Sequence, residues 1–357
     1  MNSCAETTKR KSKERKISSK VFKFTASILN EYLKFPSAQN SLYTSGNINQ
    51  CLIELSLSKS YAESGLTNLS EKCNTTNKVP TGRTFRGRIQ RLAEKQIREA
   101  LTEANDQVLH ILRRHSIFKR KAVVAIDYTR QPFYGNPDTK NVIGGKQELG
   151  TTWGYTYASI DIVEAGRRLT LYSTTINQFS EKTNVVEKLI LEAKTRGIHI
   201  SLVLLDRAFF TVDVISMLKR LGVYFIIPAV KNNTVKRAML NYDEKEPVKR
   251  FILGSKRQSV TFNLYLHKRS VFQLPKKKKL AVSDLYFGFA TNLSRSLAVS
   301  FRRLFQRSTG ADGVLRRVIA CRIMLRPKLQ ALTTGLGCST RWFLCYCNVW
   351  HYANFLL

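Results

Sequence analysis

The stretch Ala122-Val-Val-Ala-Ile-Asp127 decides the fold, because it is an uninterrupted apolar run followed directly by a carboxylate. A short apolar run of this kind is typical of a buried strand. A second, mainly apolar run over 198–205 ends at Asp206 in the same way. Each aspartate is therefore the first acidic residue at the carboxyl end of a predicted buried strand.

Strand and helix patterns alternate around these two runs. Segments 153–162 and 168–176 alternate in polarity across the turn-like Glu164-Ala-Gly166, which predicts a hairpin. Further predicted elements are helices over 184–194, 212–221 and from 296 to 305, and strands over 223–229 and 286–291. The order strand, hairpin, helix, strand, helix, strand predicts an α/β fold: a mixed sheet flanked by helices.

The rest of the chain divides by composition. The predicted parts are a basic tail (1–20), a helical region (21–118), a domain of alternating strands and helices (119–306) with a charged, basic insertion at about 231–283, and an irregular C-terminal region (307–357). One long helical pattern runs from Thr84 to Phe118 and carries Arg86 and Arg88 near its start. A basic helix suits contact with a DNA backbone, and it equally suits a packing helix with a solvated face.

The charge balance points to a polyanionic partner. Lys and Arg number 59 against 25 Asp and Glu, a formal net charge of +34, and nucleic acid is the obvious polyanion. The alternative is a chain with basic tails of no specific role. Lys276, Lys277, Lys278 and Lys279 form a run that would add salt-dependent affinity for DNA, or would be a solvated loop.

Cysteine usage and hydropathy bear on the compartment. The seven cysteines are irregularly spaced and form no CxxC pair, which predicts reduced thiols in a cytoplasmic protein. The apolar stretch 342–357 is short and interrupted by polar residues, so we expect no membrane span. A hydrophobic fraction of 43% excludes a mainly disordered chain.

Asp127 and Asp206 are the candidate site. Carboxylates at the ends of adjacent strands need a counter-charge, and Mg²⁺ or Mn²⁺ held by few carboxylates leaves positions for water and phosphate oxygens. Such ions support in-line phosphoryl displacement. The alternative is that each aspartate caps the turn after its strand.

Four motifs carry a resemblance to a known family. They are Ala125-Ile-Asp-Tyr-Thr-Arg-Gln-Pro-Phe-Tyr-Gly135, Gly144-Gly-Lys146, Gly150-Thr-Thr-Trp153 and Leu204-Leu-Asp-Arg-Ala-Phe-Phe210. Together they resemble the DDE transposases of prokaryotic insertion sequences, nearest the group carried by archaeal elements. The resemblance covers about 121–229 well and the flanks loosely.

The resemblance implies an RNase H-like catalytic domain that performs metal-dependent nicking and strand transfer, with Asp127 and Asp206 as metal ligands. It implies a homo-oligomer assembled on DNA, and places Arg130 and Tyr134 near the bound DNA. Packing within a loop is the alternative for these two. Arg207 would contact a phosphate or pair with a carboxylate.

The third acid of the family is not found, since no Glu follows Glu246. We interpret 308–347 as translated out of frame. Joining the third base of each codon to the first two of the next permits the family pattern Tyr-x-x-Arg-Trp-x-Ile-Glu, with the Glu across the codons of Leu315 and Arg316. The gene would then be a possible pseudogene. Two alternatives to an active transposase remain open: a catalytically dead DNA-binding remnant, and a metal-dependent nuclease with the same core.

Overall fold

The computed structural model describes part of the chain. The described residues are 19, 22–58, 60–73, 79–114, 121–164, 167–243, 247–254, 258–268, 285–294 and 296. The chain separates into two compact units, one built on residues 1–119 and one on 120–165 and 171–329. The predicted tail (apart from residue 19), the lysine run 276–279, the region 307–357 and the predicted helix beyond 296 lie outside the described residues.

The first unit is helical, as the sequence predicts for this region. Its helices are α1 (22–32), α2 (Ser45–Ser58), α3 (Ala62–Cys73), α4 (Gly82–Ile89) and α5 (Glu94–Arg114). Leu52 and Leu55 of α2 are fully buried. The carboxamide of buried Asn49 donates to the carbonyl oxygens of Leu29 and Leu33 at 3.3 and 3.0 Å. These bonds join α2 to the C-terminal end of α1, where the Leu29 carbonyl oxygen also accepts the backbone N–H of Leu33.

The prediction of one helix from Thr84 to Phe118 is wrong in one respect. Two helices occupy this stretch, and a turn at residues 90–93 separates them. The apolar spacing contains the reason, because Ile89 and Leu92 are followed by Ile97, five residues on, and that interval leaves the helical stripe. The described part of the second helix ends at Arg114.

The second unit is built on a mixed sheet of nine described strands. They are β1 (Ala122–Pro132), β2 (Val142–Glu148), β3 (Thr151–Glu164), β4 (Arg167–Ile176), β5 (Ile200–Leu205), β6 (Phe225–Pro228), β7 (Val248–Gly254), β8 (Ser259–Lys268) and β9 (Tyr286–Thr291). The helices are α6 (Lys182–Thr195), α7 (Val212–Arg220) and α8 (Asn233–Leu240). The strand order is β2-β3-β1-β5-β6-β9-β8-β7, with β4 also paired to β3.

The five strands β4-β3-β1-β5-β6 have the RNase H-like arrangement. Strand β1 lies antiparallel to β3 and parallel to β5, and β5 lies parallel to β6. The predicted fold class, a mixed α/β sheet flanked by helices with a helical N-terminal region, is confirmed. Strands β7 and β8 come from the segment predicted as a basic insertion at about 231–283, and they extend the sheet through β9.

Alternation along the strands gives the sheet two distinct faces. Ala125, Leu204 and Ile226 pack into one core cluster with aromatic residues of β8 and β9. Ile126 and Leu205 point to the other face and are fully buried. Within the described ranges, no helix combines the length and hydropathy that a membrane span requires.

Candidate metal centre

The register of β1 and β5 brings the two predicted aspartates to neighbouring positions. Ile126 pairs with Leu205 as the last parallel partners of the two strands. Asp127 and Asp206 are the next residue on each chain. Adjacent strands lie about 4.8 Å apart, so the two backbones are close at this level. Both aspartates therefore lie at the carboxyl edge of the parallel part of the sheet. The prediction that Asp127 ends its strand is wrong, because β1 continues to Pro132 through its antiparallel pairing with β3.

The same two aspartates belong to one face of the sheet. Asp127 follows Ala125 by two residues, and Asp206 follows Leu204 by two, and those two apolar residues share a core cluster. The backbone of Asp206 is extended (φ −76°, ψ 166°), so the alternation continues to it. Asp127 is half-buried and Asp206 is exposed. This edge of the sheet thus places half-buried Asp127 next to exposed Asp206.

A short turn fixes Asp206 at the strand end. Asp206 Oδ1 accepts a hydrogen bond from the backbone N–H of Arg207 at 2.6 Å and caps a single turn of 3₁₀ helix, Arg207–Phe209. This is the capping role that the sequence left open. Because a carboxylate offers about four lone-pair positions, the cap leaves Asp206 able to bind a cation as well.

Phe209 and Phe210 hold this turn in place by packing against aromatic residues of the sheet. Phe209 is buried and meets the edge of Tyr128 with ring centroids 4.9 Å apart, while Phe210 meets Phe262 of β8 at 5.9 Å. Lys182, the first residue of α6, lies over the Phe209 ring and donates to the carbonyl oxygen of Ala208. The motif Asp-Arg-Ala-Phe-Phe therefore forms a turn that begins at the Asp206 carboxylate and is held in place by its packing and hydrogen bonds.

Phe209→Ala should lower the free energy of unfolding by about 3–5 kcal/mol, because it empties a buried aromatic site. Urea unfolding followed by circular dichroism measures this. The matched control is Phe179→Ala, whose side chain is 83% exposed. We expect the control to change stability by less than about 0.5 kcal/mol. Equal losses in the two variants would show that the turn is not held by Phe209.

The chemistry of the edge suits a hard divalent cation. Mg²⁺ is commonly bound by one or two carboxylates, with waters and substrate phosphates completing the octahedron. Asp127 and Asp206 supply two carboxylates of this kind. The described part of the chain contains no group of three or more His, Cys, Asp or Glu side chains placed to hold a metal ion. The two carboxylates fit a divalent cation that takes water and phosphate oxygens at its other positions.

Tyr128 follows Asp127 but faces the other side of the sheet. Burial raises the pKa of Tyr128 to about 12. Its hydroxyl therefore keeps its proton at neutral pH and cannot act there as a general base.

The predicted DNA-binding residues of this unit have different surroundings. Arg130 of β1 donates through Nη2 to the carbonyl oxygens of Ile143 (3.1 Å) on β2 and Thr152 on β3, so its guanidinium binds two strands that lie on the same side of β1. The Tyr134 hydroxyl donates to the carbonyl oxygen of Leu149 at 2.8 Å, and its ring is 64% exposed.

Arg207 is the predicted basic residue that stands beside the carboxylates. It is exposed, and within the described part of the chain its side chain makes no hydrogen bond or ion pair.

The two predicted DNA-binding arginines of α4 are engaged within their own unit. Arg86 forms an ion pair with Glu63 of α3. Arg88 donates to the carbonyl oxygen of Pro36 at 2.6 Å and to the Ser41 hydroxyl. These contacts belong to packing of the helical unit, which is the alternative that the sequence left open for this basic helix.

The sequence analysis missed three residues near the site. Lys182 supports the turn of Asp206, and Ser159 and Asp161 are buried polar residues on β3. A signal for Asp161 exists, since it is a lone acid within the strand pattern Tyr157-Ala-Ser-Ile-Asp-Ile162. No local signal marks Lys182, because its contacts come from residues 26 and 27 positions further along the chain.

Comparisons with known proteins add little to this geometry. No protein-family model matches the chain, and no curated protein matches it. A solved structure with a similar arrangement is a piggyBac transposase synaptic complex with hairpin DNA, at 14% identity and a TM-score of 0.44, over 96% of this chain and 72% of that one. The RNase H-like arrangement rests on the strand order of this chain itself.

Proposed function

We propose that this chain is a cytoplasmic DDE transposase of an insertion sequence, nearest the archaeal group, whose activity is metal-dependent DNA cleavage and strand transfer. One observation carries the proposal: Asp127 and Asp206 follow the last paired residues of two adjacent parallel strands and belong to one face. The carboxyl edge of such a sheet is where ligands gather in open α/β folds. The net charge of +34 supports DNA as the substrate.

Each residue of the proposed site would have a separate role in the reaction. Asp127 and Asp206 would hold Mg²⁺ or Mn²⁺ against a phosphodiester, and the bound ion supplies charge stabilisation for an in-line displacement. Water attacks the phosphodiester first, and the released DNA 3′-hydroxyl attacks a target phosphodiester second. Arg207 neutralises a phosphate beside Asp206. Assembly of several copies on DNA would bring two element ends together.

A catalytically dead DNA-binding remnant is the second candidate. The observation that favours it is the absence of Glu after Glu246, because a missing carboxylate removes a ligand from the metal site. We expect strongly reduced cleavage and partly retained DNA binding from the chain as it stands. The sequence hypothesis for this loss concerns residues 308–347, outside the described part.

A joining assay tests the proposed function. The purified full chain is incubated with Mn²⁺ and a pre-cut duplex that carries the DNA flanking its gene, and a target plasmid accepts the joined ends. We expect slow, EDTA-sensitive joining that Asp127→Asn removes. Plasmid nicking without joining would indicate the nuclease alternative. Joining by Asp127→Asn equal to that of an active wild type would contradict the role of Asp127, and DNA binding without joining or nicking by the wild type would leave only the DNA-binding remnant.

A further inference from the structure

The arginines of α4 and of the turn after it fall into two groups. Arg86 and Arg88 are engaged with neighbouring segments of the helical unit. Arg83 and Arg91 are exposed, and neither side chain makes a hydrogen bond or ion pair with any residue that the structure describes. The first group holds the helix in its unit, so the second group is the one that a partner can engage.

Helical geometry brings Arg83 and Arg91 to one side of α4. The helix buries Phe85 and Ile89, so its opposite side faces solvent. Arg83, Gly87 and Arg91 recur there at intervals of four residues, and hydrogen bonds of the following turn continue the helical path to Arg91. A rise of 1.5 Å per residue places the two arginines about 12 Å apart, with the glycine between them. These three residues form the outward face of α4.

Gly87 is the residue of this face that folding does not explain. It lies inside the helix, where glycine lowers the folding equilibrium constant by about fivefold relative to alanine. Apart from its own helix, no described residue lies within 4 Å of a Cβ placed there, so alanine would fit without a clash. Stability therefore favours alanine at this position. A glycine in such a place is typical of a backbone that a ligand approaches closely.

The sugar–phosphate backbone of DNA fits this face. Guanidinium groups without partners bind phosphates through charge-assisted hydrogen bonds. A DNA strand carries one phosphate per about 3.4 Å of its axis, so the two arginines would reach different phosphates. The glycine between them leaves room for the strand to lie against the helix. The formal net charge of +34 complements the same partner.

We propose that the outward face of α4 binds the phosphate backbone of DNA through Arg83 and Arg91, with Gly87 at the point of closest approach. The inference rests on the proposed function in taking DNA as the partner. It moves the DNA contact of this helix away from Arg86 and Arg88. It involves neither a metal ion nor a base edge, so the affinity that it supplies is independent of sequence.

The salt dependence of DNA binding tests the inference. The full chain is titrated in EDTA into a fluorescently labelled DNA duplex of mixed sequence, and anisotropy gives the Kd at several NaCl concentrations. Arg83→Ala and Arg91→Ala should each reduce the slope of log Kd against log salt by about 0.9, the contribution of one phosphate contact. The matched control is Lys95→Ala on α5, which removes a cation that is 84% exposed and 3.8 Å from Glu99. We expect the control to keep the wild-type slope.

Gly87 is tested by adding a side chain. Gly87→Ala should raise the urea concentration at the midpoint of unfolding, because alanine is the better helix former. Gly87→Leu should weaken DNA binding by about tenfold, since a bulky side chain holds the phosphates away and one hydrogen bond to a charged group is worth about that factor. Urea unfolding confirms that each variant is folded.

Three results would overturn the inference. One is a wild-type slope in both arginine variants. Another is an equal reduction in Lys95→Ala, which would assign binding to overall charge. The third is unchanged affinity in Gly87→Leu. A wild type that binds no duplex would contradict the proposed function as well, whereas failure of the metal site alone would leave DNA binding in EDTA intact.

Discussion

Asp206→Asn lowers the affinity of the chain for Mn²⁺ by more than about a hundredfold, since even the outer partners of a metal ligand are worth about 10- to 100-fold. Asparagine keeps a side-chain oxygen that can accept from the Arg207 N–H, and it is as good a cap as aspartate. The turn should therefore survive while the ligand is lost. We expect unchanged unfolding by urea and a loss of Mn²⁺ binding, measured from the electron paramagnetic resonance signal of the free ion, which rises when binding is lost.

This variant separates the two roles that the sequence left open for Asp206. If capping were the whole role, Asp206→Asn would bind Mn²⁺ as the wild type does. The matched control is Asp138→Asn, which removes an exposed carboxylate from the loop between β1 and β2 and should leave Mn²⁺ affinity unchanged. A loss of affinity in the control as large as that in Asp206→Asn would assign the binding to overall charge instead.

Restoring the shifted frame between the codons of Ser308 and Cys347 should raise Mn²⁺-dependent joining by at least about a hundredfold. A single misplaced group in an active site costs about that much, and a missing ligand costs no less. The restored chain would carry Glu within the family pattern that the present frame lacks. The joining assay with pre-cut ends measures the gain, and DNA binding in EDTA should change little.

The control for this prediction is the restored chain carrying Asp127→Asn, which should join no better than background. Two results would contradict the frame hypothesis. One is robust Mg²⁺-dependent cleavage by the chain as it stands. The other is a gene sequence without GAG or GAA across the codons of Leu315 and Arg316.

The central part of the sheet was predictable because its strands are buried on both faces. Runs such as 122–126 and 198–205 carry the signal of such strands, and the aspartates that end them mark the edge. The structure confirms the hairpin of β3 and β4 and the helices α6 and α7 within a few residues of the predicted bounds. That the two aspartates belong to one face of the sheet followed only from the register of the strands.

Other parts could not be predicted from local pattern. Strand β2 contains Gly144 and Gly145 and lies mostly exposed at the sheet edge, so neither burial nor alternation marks it. A Cβ at Gly145 would overlap Arg130 Nη1, which shows that this glycine makes room for the arginine. Such contacts depend on pairing between distant segments.

Locating a bound ion tests the central claim most directly. Crystals of the full chain soaked in Mn²⁺ give an anomalous difference peak at the manganese position. We predict one peak with carboxylate oxygens of both Asp127 and Asp206 within about 2.0–2.3 Å, near the distances that Mg²⁺ takes in proteins. Peaks elsewhere, or aspartate oxygens too far apart to reach one ion, would contradict a shared metal site at this edge of the sheet.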